Sequence, residues 1–188
     1  IPGPINVGTS VDYMWGKSTN QVSVIETDAR IPMKHALSQF VVRLKVSPEY
    51  HNDGNLTSAK LKATGAKFAT TGTMNLNDGG KITFQPTSTE LTWSPNTTVP
   101  AQGQQAVDYA AAIYPMTLAA GEVSLEVVID GATYTYAIPQ ITWEAGKRYI
   151  YSITMRSNDA EIGGENGQSV TIEGWTSTEE DITLVPVK

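Results

Sequence analysis

Two histidines, two loose groups of carboxylates and four tryptophans are the side chains of this sequence best suited to carry chemistry. An imidazole acts as a base or a metal ligand only with a carboxylate, a second imidazole or a metal in reach. His35 stands between Lys34 and Ala36 at the start of a strand-like run, with no second histidine or carboxylate nearby in sequence. It reads as a structural residue, partly buried and bonded to a backbone group. His51 lies in Tyr50-His-Asn-Asp-Gly and reads as an exposed turn residue. Asp159, Glu161 and Glu165 form one acidic group, and Glu179, Glu180 and Asp181 another. Neither has the alternating spacing and distal glutamate of a calcium-binding loop, so both read as solvated charge, with a weak calcium site as the alternative. A glycosidase needs two carboxylates across a cleft, a pairing that sequence alone neither shows nor excludes. The chain has no Gly-x-Ser-x-Gly, His-Glu-x-x-His, phosphate loop or dinucleotide fingerprint, and Gly79-Gly80 and Gly163-Gly164 read as turns. No catalytic, cofactor-binding or metal-ligating residue is therefore assigned, and no cofactor is expected. Trp143 and Trp175 read as core residues. Trp15 and Trp93 sit beside loops, where an indole, with Tyr50 beside it, could stack on a sugar ring.

The elements that must position these residues are strands. In Tyr149-Ile-Tyr151-Ser-Ile153-Thr-Met155 large side chains alternate with smaller ones, so Tyr149, Tyr151, Ile153 and Met155 share one face of a central strand. Ile150, Ser152 and Thr154 share the other. Met33, His35 and Leu37 are in one phase and Phe40, Val42, Leu44 and Val46 in the opposite one. That change predicts a bulge or a single turn near Ala36, with a short helix over residues 32–39 as the competing reading. Residues 56–63 read as a strand with Ala59, Leu61 and Ala63 on one side. A Thr-rich strand follows, then a tight Asn77-Asp78-Gly79-Gly80 turn into a strand where Ile82 and Phe84 face together. Leu91 and Trp93 mark a short strand, and residues 94–105 a polar loop. Residues 106–114 read as a strand ending at Pro115. Val123, Leu125, Val127 and Ile129 alternate up to Asp130-Gly131, and Tyr134, Tyr136 and Ile138 return, the pattern of a hairpin on a two-residue turn. Near the start, Val11, Tyr13 and Trp15 alternate, and residues 22–25 read as another short strand. A polar loop at 158–168 and a strand through Val170 and Ile172 complete the body. About ten short strands without a helix predict an all-β fold, a β-sandwich.

Composition narrows the function classes. At 188 residues the chain suits one large all-β domain or one domain with part of a second, and it can bury about 70% of its unfolded surface. The absence of cysteine rules out a disulfide framework and a thiol nucleophile. A net charge of −6 with no basic run argues against nucleic acid as a partner. The sequence opens Ile-Pro-Gly-Pro, without an initiator Met, and is expected to be a processed or trimmed product. Residues 1–30 are expected to be a remnant of, or an added strand from, a preceding region, and residues 31–188 the main domain.

Several stretches, in order, resemble the fimbrillin-like (type V pilin) surface proteins of the Bacteroidales. Lys34-His35-Ala36-Leu37-Ser38 resembles that family's Lys-His-Ala-Leu-Ser strand. Trp143-x-x-Gly146-Lys147-x-Tyr149-x-Tyr151-x-Ile153-Thr154 is similar to its Gly-Lys-x-Tyr-x-Tyr-x-Ile-Thr segment, and Val170-Thr-Ile172-Glu-Gly174-Trp175 to its closing Ile-x-x-Trp. Ile113-Tyr114-Pro115-Met116 matches the strand before the hairpin, with Met116 where Gln is usual, and Val11-Asp-Tyr-Met-Trp15-Gly resembles the strand that precedes the Lys-His motif. The resemblance implies a transthyretin-like β-sandwich and a non-enzymatic pilus subunit or related surface adhesin. It also implies export as a lipoprotein to the outer membrane, proteolytic processing and assembly with other pilus subunits by strand exchange, with host or bacterial surface ligands as further partners. Members usually carry an additional N-terminal β-domain. In the family, C-terminal strands are donors to the next subunit. Here Ile182 and Leu184 share one face of the last segment and Val185 and Val187 the other, which makes these four the donor-strand candidates. Pro186 cannot donate a ladder hydrogen bond and places that strand at an edge or near its end. A surface glycan-binding module using Trp15 or Trp93 is the competing reading.

Overall fold

A computed structural model describes residues 4–20, 23, 29–48, 50–52, 54–65, 68–94, 97–98, 107–155, 160–162 and 171–174. In chain order the strands are β1 (Ile5–Gly8), β2 (Met14–Gly16), β3 (Met33–His35), β4 (Ser38–Val46), β5 (Asn55–Ala63) and β6 (Thr71–Asn75). They continue as β7 (Lys81–Phe84), β8 (Glu90–Trp93), β9 (Thr97–Thr98), β10 (Val107–Ile113), β11 (Met116–Leu118) and β12 (Val123–Ile129). The last are β13 (Ala132–Ala137), β14 (Ile141–Trp143), β15 (Lys147–Met155), β16 (Ala160–Ile162) and β17 (Thr171–Gly174). The fold is an all-β sandwich, as expected, but its described residues form seventeen strands rather than about ten. The surplus consists of pieces of two to four residues, too short for an alternation pattern to register.

Two five-stranded sheets form the sandwich. One runs β10-β4-β15, with β16 and β17 both pairing the far side of β15; the other runs β13-β12-β5, with β8 and β9 both pairing β5. The central β4–β15 pair is parallel, whereas every other ladder among the described strands is antiparallel. Its register sets Tyr149 opposite Phe40, Tyr151 opposite Val42 and Ile153 opposite Leu44. These side chains face Leu56, Ala59 and Leu61 of β5 and Val123, Leu125, Val127 and Ile129 of β12 across one buried core. Phe40 is its centre: it stacks on Tyr151 at 4.5 Å and meets Trp143 and Trp93 edge-on at 5.8 Å each. Each such side chain contributes about 1.5–3 kcal/mol by leaving water. The opposite face is not open either, since Val41 and Ile150 are also fully buried. Leu56 reaches the core out of phase with Ala59 because the β5–β12 register slips at Val128/Ile129, a bulge the sequence did not announce.

The phase change near Ala36 is a corner. After His35 the chain bends through Ala36 and Leu37, so β3 pairs β2 while β4 enters the main sheet; the competing helix over 32–39 does not form. A second core lies at this corner, where Val7, Ala36, Leu37, Ala69, Met74 and Tyr114 are buried beneath the β1-β6-β7 sheet. The Asp130-Gly131 hairpin forms as expected, both residues at positive φ (49° and 78°). The expected tight turn at 77–80 is instead a 3-10 turn over Leu76–Asp78 followed by two left-handed glycines, because the Asn75 side chain accepts the Asn77 N–H and starts the turn early. Two stretches read as loops hold short strands: β9 pairs β5, and β16 pairs β15. Around Val11, Tyr13 and Trp15 only Met14–Gly16 is strand, and Val11 is 52% exposed. Most of residues 22–25, Trp175, both acidic groups apart from the backbone of Glu161, and Ile182, Leu184, Val185 and Val187 lie outside the described residues.

Candidate functional site

The two motifs that stand far apart in sequence meet in space. At the corner, Ser38 is fully buried and its hydroxyl donates to the Glu144 carbonyl at 2.8 Å. The Gly146 N–H donates to the Leu37 carbonyl at 2.9 Å. Gly146 has φ 73°, a conformation that costs a residue with a Cβ about 1–2 kcal/mol. The Tyr149 hydroxyl donates to the Thr142 carbonyl and accepts the Glu144 N–H, both at 2.7 Å, and so clasps the turn that precedes its own strand. Burial raises the pKa of this phenol, so it stays protonated and able to donate. His35 is buried, but its partner differs from the backbone group expected. Its Nδ1 pairs with the Asp12 carboxylate at 2.9 Å, from a residue 23 positions earlier. Asp12 was within a recognised stretch, and its chemistry was missed because strand pairing, not sequence proximity, supplies it. The Ala36 N–H donates to the Tyr13 carbonyl at 2.8 Å and fixes the same pairing. The motif residues thus form a lock that sets the corner. Among the described residues no three His, Asp or Glu side chains gather as a metal site.

Trp15 and Trp93 occupy different settings. Trp93 packs edge-on against Phe40, and its indole N–H is buried without a protein acceptor among the described residues. The Tyr50 hydroxyl donates to Asp130, whose carboxylate also accepts the Gly54 and Asn55 N–H groups at 2.9 Å each. Trp15 stands opposite Lys34 in the β2–β3 ribbon, with Lys34 Nζ 5.7 Å from the ring centroid. Its ring lies against Gly80, where a Cβ would come within 2.3 Å of it. A cleft of about 560 Å³ opens here, lined by Trp15, Lys17, Pro32, Lys34 and Asn77 among others. An indole, two ammonium groups and an amide can stack on a ring and bind an anionic or hydroxyl group at its edge.

The outer strands β10 and β13 bound the two large sheets on one side each. β10 carries Asp108, which pairs with Arg43 at 2.6 Å and Arg148 at 3.2 Å. The Arg43 hydrogen bond holds the Asp108 carboxyl below the usual carboxylate range, against the upward push of burial. β13 carries no charge.

Comparison with curated proteins finds no match. Among solved structures, a protein of Bacteroides uniformis assigned to cell adhesion superposes with a TM-score of 0.67 at 18% identity, over 93% of this chain and 67% of its own. One of Bacteroides ovatus with the same assignment gives 0.53 at 20% identity, over 90% of this chain and 62% of its own. These likenesses establish the fold, and the chain spans about two thirds of the length of the relatives. The family described as fimbrillin-like matches residues 7–175. Since that span takes in both motif strands and the turn that locks them together, this chain belongs to the fimbrillin-like family.

Proposed function

We propose that the chain is a non-enzymatic pilus subunit or surface adhesin that assembles with other subunits by β-strand exchange. Membership of the fimbrillin-like family over residues 7–175 carries this reading. The family and the cell-adhesion relatives support a place at the cell surface, and export as a lipoprotein to the outer membrane is a further part of the proposal. Within this proposal residues 1–30 are a remnant of, or an added strand from, a preceding region, and β1 packs on the main domain of residues 31–188. Strand exchange needs a donor and an edge to receive it. The donor proposed is 182–187, with Ile182 and Leu184 alternating as Ile5 and Val7 do in β1. The edge proposed is that of β6, which β1 covers over only four residue pairs. Deleting residues 181–188 is expected to leave a folded monomer by circular dichroism and to block polymer formation. A truncated chain that unfolds would show the segment to be an integral strand and end the donor role.

The Trp15 cleft favours a second reading, recognition of a surface glycan. Binding on a glycan array that is lost in Trp15→Ala and kept in Trp93→Ala supports it; equal loss in both refutes it.

A further inference from the structure

The outer edge of β13 differs from that of β10, the other described outer strand of five residues or more. Among the described outer strands of five residues or more, β10 carries Asp108, whereas β13, Ala132-Thr-Tyr-Thr-Tyr-Ala137, has no charge, no proline and no bulge. Those are the devices by which edge strands avoid pairing with other chains. The two-residue turn fixes which backbone groups face out. In such a hairpin the pair that closes the turn is hydrogen-bonded, and bonded pairs alternate from there. Ala132 pairs Ile129, so Ala132, Tyr134 and Tyr136 bond to β12 and the N–H and C=O groups of Thr133, Thr135 and Ala137 point away. The mutual bonding of Ile138 and Val123 expected from this alternation is present in the 2.9 Å bond from the Ile138 N–H to the Val123 carbonyl. Thr133, Thr135 and Ala137 are exposed, while Tyr134 and Tyr136 rest on the core.

The strand is also nearly symmetric about Thr135, with a tyrosine one residue away on each side and Thr133 and Ala137 beyond. We propose that β13 is an interface at which two copies of this chain join edge to edge, antiparallel about a two-fold axis at Thr135, into one continuous sheet. Thr135 then opposes Thr135 of the second copy, and Tyr134 meets Tyr136 of the second copy as a cross-strand aromatic pair. The charge nearest the seam, Glu126 opposite Thr135 in β12, does not repel its own copy because Lys62 neutralises it at 2.5 Å. This interface is independent of the strand-exchange reading: it uses no terminal segment.

Sedimentation velocity of the full chain over rising concentration is expected to show a monomer–dimer equilibrium. Thr135→Lys alone and Thr135→Glu alone each weaken it, by roughly fivefold or more, because the axis sets each charge against itself. An equimolar mixture of the two restores the dimer. The chain has no cysteine, so Thr135→Cys is expected to oxidise to a covalent dimer, whereas Thr57→Cys, exposed on β5, is not. Circular dichroism checks that each variant is folded. A chain that stays monomeric at the highest concentration overturns the proposal, as does a dimer indifferent to the charge at 135. Capture of a synthetic peptide of residues 181–188 that is lost in Thr135→Pro, by a chain otherwise monomeric, overturns it too, since β13 would then be a donor-strand site.

Discussion

Ile153 and Ser152 are adjacent in β15 and face opposite ways. Ile153 is fully buried in the main core and Ser152 only half-buried. Ile153→Ala is expected to cost roughly 2–4 kcal/mol by opening a cavity, and Ser152→Ala less than about 1 kcal/mol. Denaturant titration of both variants measures the difference, and equal costs would reverse the faces. Asp130 makes stability depend on pH. Burial pushes its pKa up, but the Tyr50 hydroxyl and the Asn55 and Gly54 amides outweigh that and hold it below the ordinary value. A folded pKa below the unfolded one means that this contribution is complete at neutral pH and is lost as pH falls through the carboxylate range. Tyr50 has the opposite sign. Burial, then the hydrogen bond to Asp130, pushes it from 10.0 to about 12. Its contribution is complete below the unfolded value and is lost as pH rises through that interval. Asp130→Asn is therefore expected to flatten the acid limb of a plot of melting temperature against pH and to lower the midpoint of the Tyr50 phenol titration. A variant whose acid limb matches the parent would mean that the cluster contributes nothing.

At the scale of elements, the corner lock makes two motifs into one device. Gly146 is held in the left-handed region while its N–H bonds Leu37, and Ser38 bonds Glu144. Gly146→Ala is expected to cost about 1–2 kcal/mol from backbone strain, and Ser38→Ala about 1–3 kcal/mol from a carbonyl left without its donor. Because both act on one joint, the double variant should cost less than the sum, which a double-mutant cycle measures. Additive losses would show two independent contacts. The long strands were legible because burial on one side writes a period of two: Tyr149, Tyr151, Ile153 and Met155, or Val123 to Ile129, are read off directly. The Asp130-Gly131 turn was legible because positive φ restricts residue choice. The corner was visible as a change of phase, but its bonds were not. They join residues more than a hundred positions apart, Ser38 with Glu144 and Leu37 with Gly146, through groups that leave no periodic trace. The Asp12–His35 pair was hidden for the same reason. The packing of Trp93 was not legible either, since its neighbour Phe40 comes from another sheet.

At the scale of the molecule, the two cores share no buried member among the described residues. The main sandwich rests on Phe40, Tyr151, Leu125 and their neighbours. The second core is closed by β1, which contributes Ile5 and Val7 and is tied by a 3.0 Å bond from the Tyr114 hydroxyl to the Val7 carbonyl. Removing residues 1–8 therefore uncovers Met74 and leaves Tyr114 without that acceptor, while the inner faces of the two large sheets keep their contacts. Losing the buried Val7 side chain alone forfeits about 1.5–3 kcal/mol. For a chain of this size each kcal/mol lowers the melting temperature by roughly 2–4 °C. The shortened chain is expected to keep its β-sheet circular dichroism, to melt earlier than the parent, and to bind a hydrophobic dye at the uncovered site. Complete loss of the β signal under conditions where the parent is folded would mean that the cores are one cooperative unit. The same variant tests the receiving edge. If β6 accepts a strand in the place of β1, a peptide of residues 181–188 raises the melting temperature of the shortened chain and displaces the dye. It does neither with the parent, where β1 holds the edge. A peptide that leaves the shortened chain unchanged removes β6 as the acceptor, and the separation of the two cores stands on the melting curves alone.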